Sequence, residues 1–213
     1  MNGTVNLLVG VAMGLNLVAL GSSRLPSVIR AVALQGMVLG AMPLLIEPDF
    51  DWIAVCFAAV TVVVKGVMIP NLLRKAMRVA NIEREIEPFI GFVPSLLLGA
   101  AGTIVAVAGA RALPLLPEHA GTLLVPGALA SVLTGFILLI GRVKAIGQVC
   151  GYLILENGIY LFGLLLIQST PLLVESGILL DLVVGVFVIG IIVDRIQRAF
   201  DSLDTRKLTV LRE

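Results

Sequence analysis

Apolar residues in this chain gather into seven long runs, each parted from the next by a short polar stretch. The runs extend from Thr4 to Gly21, Ser27 to Ile46, Trp52 to Leu72, Phe89 to Ala110, Thr122 to Gly141, Ala145 to Ile167 and Leu172 to Val193. A helix that crosses a bilayer needs about 20 predominantly apolar residues. The pattern therefore predicts an all-α polytopic membrane protein with seven transmembrane helices.

Composition agrees: 59% of the 213 residues are hydrophobic and 14% are charged, which excludes an ordinary soluble domain. The net charge of +1 carries little; its distribution carries much. The turns after the first, third, fifth and seventh runs hold Arg24 and Arg30; Arg74, Lys75, Arg78 and Arg84; Arg142 and Lys144; and Arg195, Arg198, Arg206, Lys207 and Arg212. The other side has Arg111 among Glu47, Asp49, Asp51 and Glu118. The positive-inside rule then predicts an N-terminus outside and a cytoplasmic C-terminus. The opening MNGTVNLLVG has no basic n-region and no small-residue cleavage site, so the first run is expected to stay as an anchor. Cys56 and Cys150 lie in apolar runs, away from any metal or redox spacing, and read as small core hydrophobes. No nucleophile triad, phosphate loop or nucleic-acid surface is present, and His119 stands alone in an outer loop.

The organisation predicted is a three-helix half with its connector (1–88), a linking fourth helix and outer loop (89–120), a second three-helix unit (121–196) and a charged tail (197–213). The connector LLRKAMRVANIEREIEP, Leu72 to Pro88, is either a helical extension of the third span or a helix at the interface. It is read as a solvated connector, with docking to a cytoplasmic partner as the alternative. Glycine pairs at helix-packing spacing, Gly10/Gly14, Gly36/Gly40 and Gly147/Gly151, predict close helix contacts. Pro43, Pro70, Pro94 and Pro126 are candidate kinks.

The chemistry lies in the ionisable groups within the runs. Glu156 is ten or so residues into its helix, roughly 15 Å at 1.5 Å per residue. Asp181 is a similar distance into the next helix from the other side, so antiparallel neighbours would bring both acids near the midplane. A carboxylate there costs at least about 2.5–3.5 kcal/mol, and such groups commonly mark proton relays. The alternative is that the acids are hydrogen-bonded packing elements with Asn157 or Gln148 as neighbours. Glu175 is either an outer station on that path or an interfacial acid. Lys65 either snorkels to the cytoplasmic interface or pairs with an acid in this or a neighbouring subunit.

The segment GYLILENGIYLFGLLL, with LLDLVVGVFVIGI and SLDTRKL beyond it, resembles component E of hydrogenase-4 and formate hydrogenlyase type complexes. The last three runs also resemble the three-helix K subunit of respiratory complex I and the C subunit of multisubunit antiporters. In that pattern a glutamate lies in the second helix and an acid in the third, positions that Glu156 and Asp181 match in order and depth. Aspartate in the third helix and the added Glu175 are departures.

The resemblance implies an integral subunit of a bacterial or archaeal plasma-membrane redox complex, one that translocates protons, or sodium ions, and binds no cofactor itself. Nickel–iron and iron–sulfur centres would belong to peripheral cytoplasmic subunits, and antiporter-like membrane subunits would be its neighbours. Glu156 and Asp181 are the expected proton carriers, with Lys65 and Glu175 as further candidates. A self-sufficient proton-coupled transporter and a purely structural membrane-arm subunit are the competing expectations.

Overall fold

A computed structural model describes residues 2–46, 52–79, 84–85, 88–113 and 121–165, with Gly185 and Gly190. The order is α1 (Asn2–Gly21), α2 (Leu25–Gly40), the short α3 (Pro43–Ile46), α4 (Trp52–Val63), a π-helical turn (Val64–Met68), α5 (Ile69–Val79), α6 (Phe92–Ala110), α7 (Leu124–Gly141) and α8 (Ala145–Leu164). The one β-type contact among these residues is a single antiparallel bridge between Arg24 and Arg84. Six helical segments are long and apolar enough to cross a membrane: Gly3–Gly21, Leu25–Ile46, Val55–Arg78, Phe92–Ala110, Leu124–Gly141 and Ala145–Leu164. They coincide with the first six apolar runs, and the chain is a multi-pass membrane protein. The seventh run lies outside the described residues, apart from Gly185 and Gly190.

Proline placement explains where the helices bend and where they do not. Pro43, Pro94 and Pro126 all fall in the first turn of a helix, where a missing N–H leaves no intrahelical bond unmade. Pro70 alone among the four sits in a helix interior. It cannot donate to the carbonyl of Gly66, and just before it the ladder slips to i→i+5, with Ile69 N–H bonding Val64 O. The third run therefore continues through this π turn into α5 as far as Val79. The connector begins as a helical extension of the span.

Within its last described part, one side chain turns inward. Glu85 is buried, its N–H donates to Ser23 O at 2.9 Å, and its side chain docks on the start of α8 within this same chain. Arg84 beside it, like Lys75 and Arg78 earlier in the connector, is exposed, so the expectation of a solvated connector fails at Glu85 and not along the described stretch as a whole. Cys56 is likewise exposed rather than in the core, whereas Cys150 is buried.

Two apolar clusters hold the bundle. One gathers Leu20, Leu25, Ile29, Leu73, Leu138 and Ile154; the other gathers Val9, Leu39, Met42, Leu124 and Leu161. Along α1, α2, α7 and α8 the two clusters occupy opposite ends, and a band of polar residues separates them. The α7–α8 contact is closest at glycines: a Cβ on Gly158 would meet Val132 N at 2.7 Å, and one on Gly151 would meet Leu139 N at 2.8 Å. Backbone cannot give way as a side-chain tip can, so these positions require glycine. Gly36 and Gly40 similarly admit Lys65 and Thr61. Gly10 and Gly14 have nothing within 4 Å of an added Cβ, so the packing expected of that pair does not occur among the described residues.

Candidate functional site in the mid-bundle polar band

The π turn carries Lys65 to the side of α8, and there it meets Glu156. Lys65 Nζ lies 2.7 Å from Glu156 Oε1, with the side chains 7% and 2% exposed. Of the two readings open to Lys65, the structure selects pairing within the chain over snorkelling. The ammonium also donates to Asn157 Oδ1 at 3.0 Å and stands 5.2 Å from the Tyr160 ring centroid, a cation–π distance. Glycine makes the approach possible, since a Cβ on Gly36 would meet Lys65 Cβ at 2.8 Å.

Glu156 itself is sparsely served. Among the described residues no N–H or O–H donor is aligned as a hydrogen bond on either carboxylate oxygen, so the lysine contact is a charge pair and Oε2 is unmatched. Gly185 packs against that oxygen: a Cβ there would sit 3.3 Å from Oε2. Asp181 and Glu175 lie outside the described residues, as does His119. Gln148 does not join Glu156; its amide donates to Arg142 O at the entry to α8.

Polar residues beyond the charge pair complete the band, and of them the sequence reading had placed Asn157 alone near Glu156. Asn157 Nδ2 donates to Gln35 Oε1 at 3.2 Å, Gln35 Nε2 to Asn16 Oδ1 at 2.8 Å, and Asn16 Nδ2 to Ser131 Oγ at 3.0 Å. All four are at most 2% exposed. Their signal in the sequence is weak, because a neutral amide in an apolar run is cheap enough to pass as packing. Such a band can hold a charge pair away from water and pass its influence between helices.

The comparisons bear on what such a site serves. An uncharacterised Mycobacterium tuberculosis protein, Rv0085, is 34% identical over 191 residues, covering 89% of this chain and 87% of its own length. Hydrogenase-4 component E of Escherichia coli K12 is 30% identical over 160 residues, 73% of this chain and 72% of the relative, and the Shigella flexneri protein matches equally. The chain belongs to the hydrogenase-4 component E family. No family model matches the chain. No solved structure matches it either.

A second charged centre lies at the basic end of the bundle. Glu85 Oε1 accepts from Val143 N at 2.9 Å and Lys144 N at 2.8 Å, so the carboxylate caps the positive end of α8. Arg142, 3% exposed, donates to Leu20 O at 2.6 Å and stacks 4.5 Å from the Phe92 ring centroid. Burial draws its guanidinium below the ordinary arginine value, and the neighbouring Glu85 opposes that shift. Among the described residues no three His, Cys, Asp or Glu side chains are grouped to hold a metal ion.

Proposed function

We propose that this chain is a proton-translocating membrane subunit of a multisubunit hydrogenase-type redox complex, with Glu156 as its central proton carrier and Lys65 as the charge that controls it. Family membership supports the setting. The observation that carries the site is the buried Glu156–Lys65 pair, because among the described residues Glu156 meets one cation and its second oxygen has no hydrogen-bond donor.

Mid-membrane acids are costly, and one held by a single side-chain cation can exchange its proton when that cation moves or is neutralised. Redox chemistry, with its nickel–iron and iron–sulfur centres, would reside in peripheral subunits on the cytoplasmic side, and antiporter-like subunits would continue the path within the membrane. Asp181 is the proposed next carrier and Glu175 an outer station. In this reading the seventh run completes the bundle, with the N-terminus outside and the C-terminus cytoplasmic, in a bacterial or archaeal plasma membrane.

The test is Glu156→Gln in the assembled complex, reading proton translocation against hydrogen turnover. Loss of translocation with turnover retained under uncoupled conditions is the expected result. Full translocation by an assembled variant would leave the chain a structural subunit.

A further inference from the structure

Three carboxamides from three helices stand in line behind Lys65, and their orientation is not free. Nζ donates to Asn157 Oδ1, Asn157 Nδ2 to Gln35 Oε1, Gln35 Nε2 to Asn16 Oδ1, and Asn16 Nδ2 to Ser131 Oγ. A carboxamide turned end for end keeps its shape, so each amide alone has two possible settings. An ammonium only donates. Asn157 must therefore offer oxygen to Lys65; its nitrogen then needs an acceptor, and the requirement passes to Gln35 and Asn16 in turn.

The far side imposes the same sense. Gln35 Nε2 is 3.5 Å from Ala12 O, a backbone carbonyl that only accepts. A reversed Gln35 would face oxygen with oxygen at Ala12. The Ser131 hydroxyl, which can give and take, ends the series without a demand of its own. All three amide dipoles thus point their oxygen ends toward the Lys65 charge.

We propose that Gln35 is a positioning residue for the Lys65–Glu156 pair: by fixing the Asn157 amide it keeps Lys65 Nζ beside Glu156 Oε1 and inside the bundle. The residue stands on α2, remote in sequence from both α8 partners, and its role in translocation rests on the function proposed above. Without Gln35, Asn157 turns, the ammonium loses an acceptor, and its flexible stem is free to leave toward an interface. Asn16 supports Gln35 in the same way from α1.

Two measurements on the assembled complex test this. In the first, a membrane-permeant amine reagent labels lysines and mass spectrometry follows each site. Gln35→Met and the shorter amide Gln35→Asn are expected to speed Lys65 labelling at least tenfold while the exposed Lys75 is unchanged. In the second, protons moved per hydrogen turned over should fall at least fivefold in Gln35→Met, with uncoupled turnover within twofold of wild type.

Unchanged Lys65 labelling in both Gln35→Met and Gln35→Asn overturns the proposal. So does undiminished translocation in Gln35→Met when Glu156→Gln has abolished it. Normal translocation in Glu156→Gln overturns the functional reading instead, and Lys65 labelling then decides the positioning role by itself.

Discussion

Glu85 and Glu156 are buried alike, 4% and 2% exposed, and each has a basic side chain nearby. They are held by different means, although the Oε2 of each has no hydrogen-bond partner among the described residues. Glu85 is held by two backbone N–H groups at the start of α8, while its neighbour Arg142 is held by the Leu20 carbonyl and the Phe92 ring. Those partners are parts of the fold and cannot leave without it. Glu156 is met by the tip of a lysine, the longest and most mobile of cationic stems, with no backbone donor among the described residues. A carboxylate pinned by backbone serves as a joint. One held by a side chain can change partner or proton while the helices stay in place.

The joint also has a place in the circuit. Glu85 belongs to the connector that follows α5, and α5 continues the helix bearing Lys65; its carboxylate is clasped to the start of α8, the helix bearing Glu156. The two helices that contribute the charge pair are thus tied together again at the basic end. Just past the connector, Ile90 N–H to Gly141 O at 3.3 Å links the start of the fourth run to the end of α7.

Three experiments sharpen the contrast, taken from the largest effect down. Glu85→Ala strips α8 of its cap and leaves Arg142 buried without a counter-charge, for an expected loss of about 3–5 kcal/mol. An unfolding midpoint in detergent measures it, and a loss below about 1 kcal/mol, the range of an exposed pair, would remove the distinction between the two acids. Next, Glu156→Gln and Lys65→Met should each destabilise, whereas the double variant should lie closer to wild type than their sum, with a coupling of about 1–3 kcal/mol. Strict additivity of the three unfolding free energies would show that the pair is not held as charges. The smallest effect is expected outside both regions: Gly10→Ala meets nothing within 4 Å and should shift stability by no more than about 0.5 kcal/mol. A marked drop in the same melting assay would place Gly10 at a contact that the other two regions do not share.

Much of the architecture was legible along the chain. The first six apolar runs became helices, close to their expected ends except for the third, which runs on from Leu72 to Val79, because a bilayer-length apolar run has no better way to satisfy its backbone in lipid. Glu156 and Lys65 stood out because a charge among apolar residues is conspicuous. Asn16, Gln35 and Ser131 did not, since a neutral polar residue signals nothing until a partner is beside it. Glu85 was hidden for the opposite reason: in a segment rich in Arg and Glu, one buried acid looks like its solvated neighbours.

The sequence by itself determined the membrane class, the helical segments and the two intramembrane charges, all of which follow from local hydropathy. Tertiary structure decided what depends on distance across the bundle. It set Lys65 against Glu156, 91 positions away in the chain, where hydropathy has no reach. It aligned the amides of α1, α2 and α8 into one hydrogen-bonded series, and it turned a polar connector into a cap. Burial and partnership are properties of packing, and packing is settled between helices rather than along them.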